Sequence, residues 1–145
     1  MTTDDFMANA TISINSNKAE IWDALVNPVA IKQYMFGADV KSDWREGSEI
    51  TWKGEFRGKK YEDRGVILKM EPENLLRYSH YSPLSGKPDT SDNYHFVTIH
   101  LADGANSTKI SLTQDNNADE NARTESEKNW GAMLEGLKKY VENSV

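Results

Sequence analysis

Three histidines and one oppositely charged pair are the side chains of this chain best suited to chemistry. His80, His95 and His100 fall on neighbouring segments with an alternating pattern. His95 and His100 are separated by an odd number of residues, so on one uninterrupted strand they point to opposite faces. Only one of them can therefore join His80. Zinc usually takes at least three protein ligands, and neither this set nor any H-E-x-x-H spacing supplies them, so no metal is expected. His80 reads instead as a polar group of a pocket, with Tyr78 or Tyr94 nearby. Glu62 and Arg64 share parity with Val66, which would place them at the mouth of that pocket, where the pair can orient a polar ligand group. Arg77 joins them only if a bulge turns it inward. Glu55 and Asp63 are expected in solvent. His80 with Glu62 is the one acid–base pair the spacing constructs. The chain holds no cysteine. With no G-x-S-x-G and no glycine-rich phosphate loop either, it lacks thiol chemistry and the common hydrolase and nucleotide signatures, and no cofactor is expected.

The background that must position these groups is acidic and aromatic. Seventeen basic against 23 acidic residues give a net charge of −6, which argues against nucleic-acid and anionic-membrane partners. No run approaches the roughly 18 apolar residues of a membrane span. The opening Met-Thr-Thr-Asp-Asp has neither a basic region nor an apolar one, so the expected location is cytoplasmic. The 145 residues suit one hydrophobic core, with residues 1–8 as a lead-in and 9–145 as a single domain. Four Trp, six Tyr and four Phe at a mean hydropathy of −0.73 fit a curved, half-solvated sheet with large side chains on its concave face.

The periodicity supplies the elements. Residues 9–14 alternate as a strand. Asn17 caps a helix over 17–26, with Glu20 three residues on and Ile21, Trp22 and Leu25 on one face. A second short helix covers Val29 to Tyr34. From Ala38 the period becomes two: Ile50, Trp52, Gly54 and Phe56 alternate up to a tight Arg57-Gly58-Lys59 hairpin, then Val66, Leu68 and Met70 share a side, then Leu76, Tyr78 and His80. The polar loop Ser82–Asn93 is an ordinary connection or a gate. Strands at 94–101 and 108–113 follow. A long helix from Asp119 to Glu142 carries the stripe Ala122, Ser126, Trp130, Met133, Leu134, Leu137, Tyr140 and Val141. Gly131 and Gly136 cost that helix about 1 kcal/mol each, for which close approach to the sheet is a reason. One helix cannot fill a broad curved sheet, so a cavity is expected beneath it. By parity its lining is Trp52, Phe56, Val66, Leu68, Leu76 and Tyr78, with Trp130, Met133, Leu134 and Leu137 as the roof. Such a pocket is the usual form of a small-molecule site.

In order and spacing, this chain resembles the START-like (SRPBCC) superfamily. Within that group it is most similar to the family named for the C-terminal domain of the activator of heat-shock protein 90 ATPase. The carriers are Ile12-Ser13-Ile14 to Ala19–Leu25, the Gly47…Trp52…Phe56…Gly58 hairpin, Gly65-Val66…Glu71-Pro72…Leu76-Arg77-Tyr78, Thr108…Ile110…Leu112, and Trp130…Leu134…Leu137. Two departures stand out: Asn129-Trp130-Gly131 replaces a common Gly-Trp pair, and His80 stands where many members have an aromatic, which implies a more polar cavity. The resemblance implies an α+β helix-grip (START/Bet v 1-like) fold, a curved antiparallel sheet of six to seven strands wrapped around a long C-terminal helix. With the aromatic set on the concave face, the expected function is binding of a small apolar or amphipathic molecule by a monomer or weak homodimer, with catalysis left open and the non-enzymatic role favoured. A chaperone-interacting module that stimulates a heat-shock protein 90 type ATPase is the alternative, and a cyclase- or dehydratase-like enzyme the third reading.

Overall fold

The computed structural model describes residues 6–143. The chain runs β1 (Ala8–Ile14), α1 (Lys18–Leu25), α2 (Pro28–Tyr34), β2 (Asp39–Ser42), β3 (Glu49–Phe56), β4 (Lys59–Glu71), β5 (Leu75–His80), β6 (His95–Asp103), β7 (Thr108–Gln114) and α3 (Glu120–Asn143). The strands form one antiparallel seven-stranded sheet in the order β1-β7-β6-β5-β4-β3-β2. This is the helix-grip architecture that the sequence implies, α+β with α3 gripped by the curved sheet.

Local chemistry sets the helix ends. The Asn17 side chain accepts the Glu20 N–H at 2.8 Å, and Asn27 accepts the Val29 N–H at 3.0 Å with Pro28 as the first residue of α2. Asp119 does the same for α3, accepting from Ala122 N–H at 2.8 Å. The core is the concave face of the sheet closed by the helices: Ile14, Ile50, Ile67, Val97, Leu101, Ile110 and Leu112 from strands meet Ile21 from α1 and Leu134 and Leu137 from α3. Burying each such side chain contributes about 1.5–3 kcal/mol, an upper estimate. Of the two glycines in α3, Gly136 lies against Tyr34 of α2, where an added Cβ would come within 3.2 Å, while Gly131 faces open space. The close approach is therefore to α2 rather than to the sheet.

The Ser82–Asn93 segment is fastened at several points. Asp89 pairs with Arg64 at 3.1 Å and accepts from the Tyr94 hydroxyl at 2.6 Å. Tyr81 stacks on Tyr94 with ring centroids 5.3 Å apart and donates to the Lys87 carbonyl at 2.6 Å. Two 3-10 turns, Pro83–Ser85 and Ser91–Asn93, shape the rest.

Candidate functional site

Where α2, α3 and the sheet meet, the side chains leave a cavity of about 20 Å³. That is room for about one water molecule. Ile31, Tyr34 and Met35 come from α2 and the residue after it, Trp44 from the loop before β3, and Met133 from α3. The sheet contributes Ile50, Trp52, Leu76, Tyr78 and Ile99. Burial raises the Tyr34 and Tyr78 hydroxyls well above their ordinary pKa, so both stay protonated donors.

Trp52 is the wall between this cavity and a polar row. Its ring centroid lies 5.2 Å from that of Tyr78 and 5.0 Å from that of His80, the latter in an edge-to-face arrangement, and His80 lies 6.3 Å from His95. The row crosses four strands: Asp63 on β4, His80 on β5, His95 on β6 and Gln114 on β7. Asp63 Oδ2 lies 2.9 Å from His80 Nε2, with side chains 14% and 24% exposed. Asp63 Oδ1 is buried with no hydrogen-bond partner, the one such side-chain atom among the described residues. At the far end, the Trp130 indole can only donate, so Gln114 Oε1 accepts from it at 2.6 Å. Gln114 Nε2 is left to donate to Asn117 Oδ1 at 3.2 Å, and it lies 3.1 Å from His95 Nδ1. Ser126 completes the cluster by donating to Asn117 Oδ1 at 2.7 Å. Burial is the largest influence on His95 and lowers its pKa, although the nearby Asp115 carbonyl opposes it.

Four of the expected lining and mouth residues lie on the other face. Val66 and Leu68 are 36% and 40% exposed, while Ile67 between them is fully buried. Glu62 borders a wide recess of about 580 Å³ on the outer surface of β2, β3 and β4, among Lys41, Glu49 and Lys53. Arg64 reaches outward to Asp89. The physical reason is the hairpin register. Phe56 pairs with Lys59 across the tight turn, which sets Trp52 opposite Asp63, and opposed residues share a face. With Trp52 inside, the inner residues of β4 are Tyr61, Asp63, Gly65 and Ile67, and the apolar Val66–Leu68 pair is turned out. A register shift between Ile67 and Lys69 then returns Met70 to the core. So Asp63, expected in solvent, is the buried partner of His80, and Glu62 is not.

Of the other expected residues, Trp52, Leu76, Tyr78 and Met133 line the cavity, and Leu134 and Leu137 are buried in the core beside it. Trp130 is held over β7 by Gln114. The side chain of Phe56 lies outside the described residues. His100 is exposed on the outer face, and Arg77 is turned outward over the Phe96 ring, 5.1 Å from its centroid. The α2 wall and Trp44 were not foreseen as lining. Gln114 and Asn117 carry no sequence signal that would have placed them in the row. Among the described residues no group of three or more acidic, histidine or cysteine side chains converges on a point.

A gripped helix over a curved sheet, with an aromatic-walled cavity and a polar row, defines a helix-grip protein of the START-like kind. The chain belongs to the family described as activator of Hsp90 ATPase homolog 1-like protein, which it matches over residues 15–142. Among solved structures it is similar to the protein ChR145 from Cytophaga hutchinsonii, with 53% identity, 95% of this chain and 94% of that chain covered, and a TM-score of 0.83. The Aha1 dimer from Colwellia psychrerythraea shares the fold at 19% identity, with 94% and 96% covered and a TM-score of 0.74. DynU16, a protein of the dynemicin biosynthetic locus, shares it at 17% identity over 98% of this chain and 49% of that one, with a TM-score of 0.80. No curated protein matches. No described helix is long and apolar enough to cross a membrane.

Proposed function

We propose that this protein binds a small apolar or amphipathic molecule between α2, α3 and the sheet. The observation that supports the reading is the small cavity walled by Tyr34, Trp52, Tyr78 and Met133, with the Asp63–His80 pair beside Trp52. Apolar enclosure with a few polar groups at one end is the form of a small-molecule site. At about 20 Å³ the cavity is closed to anything larger than a water, so binding requires its walls to move. Two of those walls are Met35 and Met133, unbranched side chains that readjust readily. The test is native mass spectrometry of the purified protein, followed by extraction and identification of what travels with it. A retained apolar or aromatic molecule is the expected result. A bare mass, together with no change in melting temperature across a panel of fatty acids, terpenoids and aromatic ketones, would remove the reading.

The Asp63–His80 hydrogen bond favours a second reading, an enzyme of the cyclase or dehydratase kind. A carboxylate that holds one imidazole nitrogen leaves the other to take or give a proton. If the molecule recovered from the wild type is returned chemically unchanged after incubation, as it is from His80→Gln, this reading is lost. The family description supplies a third, stimulation of an Hsp90-type ATPase, which a null result in both pull-down and ATPase turnover would set aside.

A further inference from the structure

The two edges of the sheet are finished differently. On β1, side chains of α3 take outward backbone groups. β2 has no such cover. Arg64 and Tyr81 exchange their backbone hydrogen bonds, so Arg64 faces away from β3, and its neighbours Asp63 and Gly65 bond Trp52 and Ile50. Thr51 and Lys53 therefore turn to β2, where they bond Lys41 and Asp39. Alternation leaves Val40 and Ser42 with their N–H and C=O groups directed away from the sheet, and no group of the described residues takes them.

That edge can be reached. Asp39, Val40, Lys41, Ser42 and Asp43 border the wide recess of about 580 Å³ in unbroken succession. The Val40 side chain is packed in the core opposite Trp52, so Val40 meets the recess through its backbone. Open strand edges accept another strand, and the sequence of β2 fits a second copy of itself. In an antiparallel pair centred on Val40, each Val40 N–H donates to the partner's Val40 carbonyl. Asp39 and Lys41 of one chain then stand opposite the partner's Lys41 and Asp39 on the exposed face. Lys41 makes no ion pair among the described residues, and Asp39 engages Lys32 through Oδ1 alone. A pair centred on Lys41 instead sets Lys41 against itself and Asp39 against Asp43. One centred on Ser42 fails because the chain leaves the line of the strand at Trp44, where φ is 56°. We propose that β2 is a homodimer edge, at which two copies join their sheets antiparallel about Val40 with the Asp39–Lys41 pairs fixing the register.

The test is sedimentation of the full chain over a concentration series, together with hydrogen exchange of the Val40 amide. A short strand pair is a small interface, so a weak, reversible dimer is expected. Protection of the Val40 amide should rise with protein concentration, while that of the Lys41 amide, already bonded to Thr51, stays level. Lys41→Asp and Asp39→Lys each set like charges opposite one another, and each alone is expected to weaken dimerisation roughly tenfold or more. An equimolar mixture of the two variants rebuilds both opposite-charge pairs, so a heterodimer of wild-type strength is expected. A chain that stays monomeric at every concentration overturns the proposal and makes β2 an edge blunted by its own charges. A dimer that neither variant weakens, or a mixture that does not recover, puts the contact elsewhere and overturns it as well. None of these outcomes bears on the ligand-binding reading.

Discussion

His95 shows how a single residue carries the polar row. Its Nδ1 lies 3.1 Å from the Gln114 amide nitrogen and 3.0 Å from the Asp115 carbonyl oxygen, and burial favours its neutral form. Its folded pKa is therefore below the unfolded value of about 6.5. The unfolded chain binds the extra proton, so the stability His95 contributes is present above that value and is lost as pH falls through the window beneath it. An NMR titration of the ring proton should give a midpoint under about 6.5; a midpoint at or above it would mean that the ring is charged and the row arranged differently. Gly65 is the second sensitive position. A Cβ there would sit 1.7 Å from the Ser79 carbonyl oxygen, which is backbone and has no room to yield. Around it Arg64 and Tyr81 exchange both backbone hydrogen bonds, and the Ser79 hydroxyl accepts the Val66 N–H at 3.0 Å. Gly65→Ala should cost about 2–3 kcal/mol or more in a urea titration, and an unchanged midpoint would rule out the close approach. At this scale the sequence was half legible. His80 and Tyr78 follow from alternation alone. Asp63 was available too, because a two-residue Arg57-Gly58 turn fixes which residue stands opposite Trp52, but the apolar Val66 and Leu68 outweighed that arithmetic.

Among the elements, α3 does more than cover the sheet. β1 is an edge strand, and its outward backbone groups would otherwise offer a template for another chain. Side chains of α3 occupy them: Glu127 accepts the Asn9 N–H and Glu142 the Asn15 N–H, each at 2.9 Å, and Lys138 donates to the Ser13 carbonyl at 3.0 Å. The Asn9 hydrogen bond is the chief cause that holds Glu127 below the usual carboxylate range, and Lys138 is the chief cause for Glu142. For a depressed carboxylate the stabilising contribution is present above the unfolded value and is lost as pH falls through the folded one. The amides of Asn9 and Asn15 should therefore lose hydrogen-exchange protection as pH is taken below the ordinary carboxylate range. The double variant Glu127→Gln, Glu142→Gln should abolish that pH dependence. Equal protection factors on both sides of the transition would show that the carboxylates do not seal the edge. The elements themselves were readable because their end signals are local, as at Asn17, Pro28 and the Arg57-Gly58 turn. The register shift between Ile67 and Lys69 was not, since nothing in Ile67-Leu68-Lys69 announces it.

The molecule as a whole is a sheet that a single helix closes only with the help of α2, and that division explains the cavity. The stripe on α3 was legible, but the remaining volume depends on where α2 docks. That position is set by contacts far apart in sequence: the Tyr34 hydroxyl on the Ala24 carbonyl, and the Tyr34 backbone against Gly136. No periodicity reports them, so a cavity was expected without a size, and the one present is about 20 Å³. If the cavity is the closed form of a binding site, enlarging it should turn lost stability into affinity. Met133 is 3% exposed and forms one wall, so Met133→Ala should cost about 2–5 kcal/mol, the range for deleting a large buried side chain. The void it leaves joins the existing one beside Trp52 and Tyr78. A ligand that occupies the joined space returns stability as RT ln(1 + [L]/Kd), about 2.7 kcal/mol at a hundredfold excess over Kd. Thermal unfolding with and without cyclohexanone should thus show a rise in melting temperature that is larger in Met133→Ala than in the wild type. A variant that is destabilised yet indifferent to the added molecule would mean that the walls collapse on deletion, and that the space between α2, α3 and the sheet is packing rather than a site.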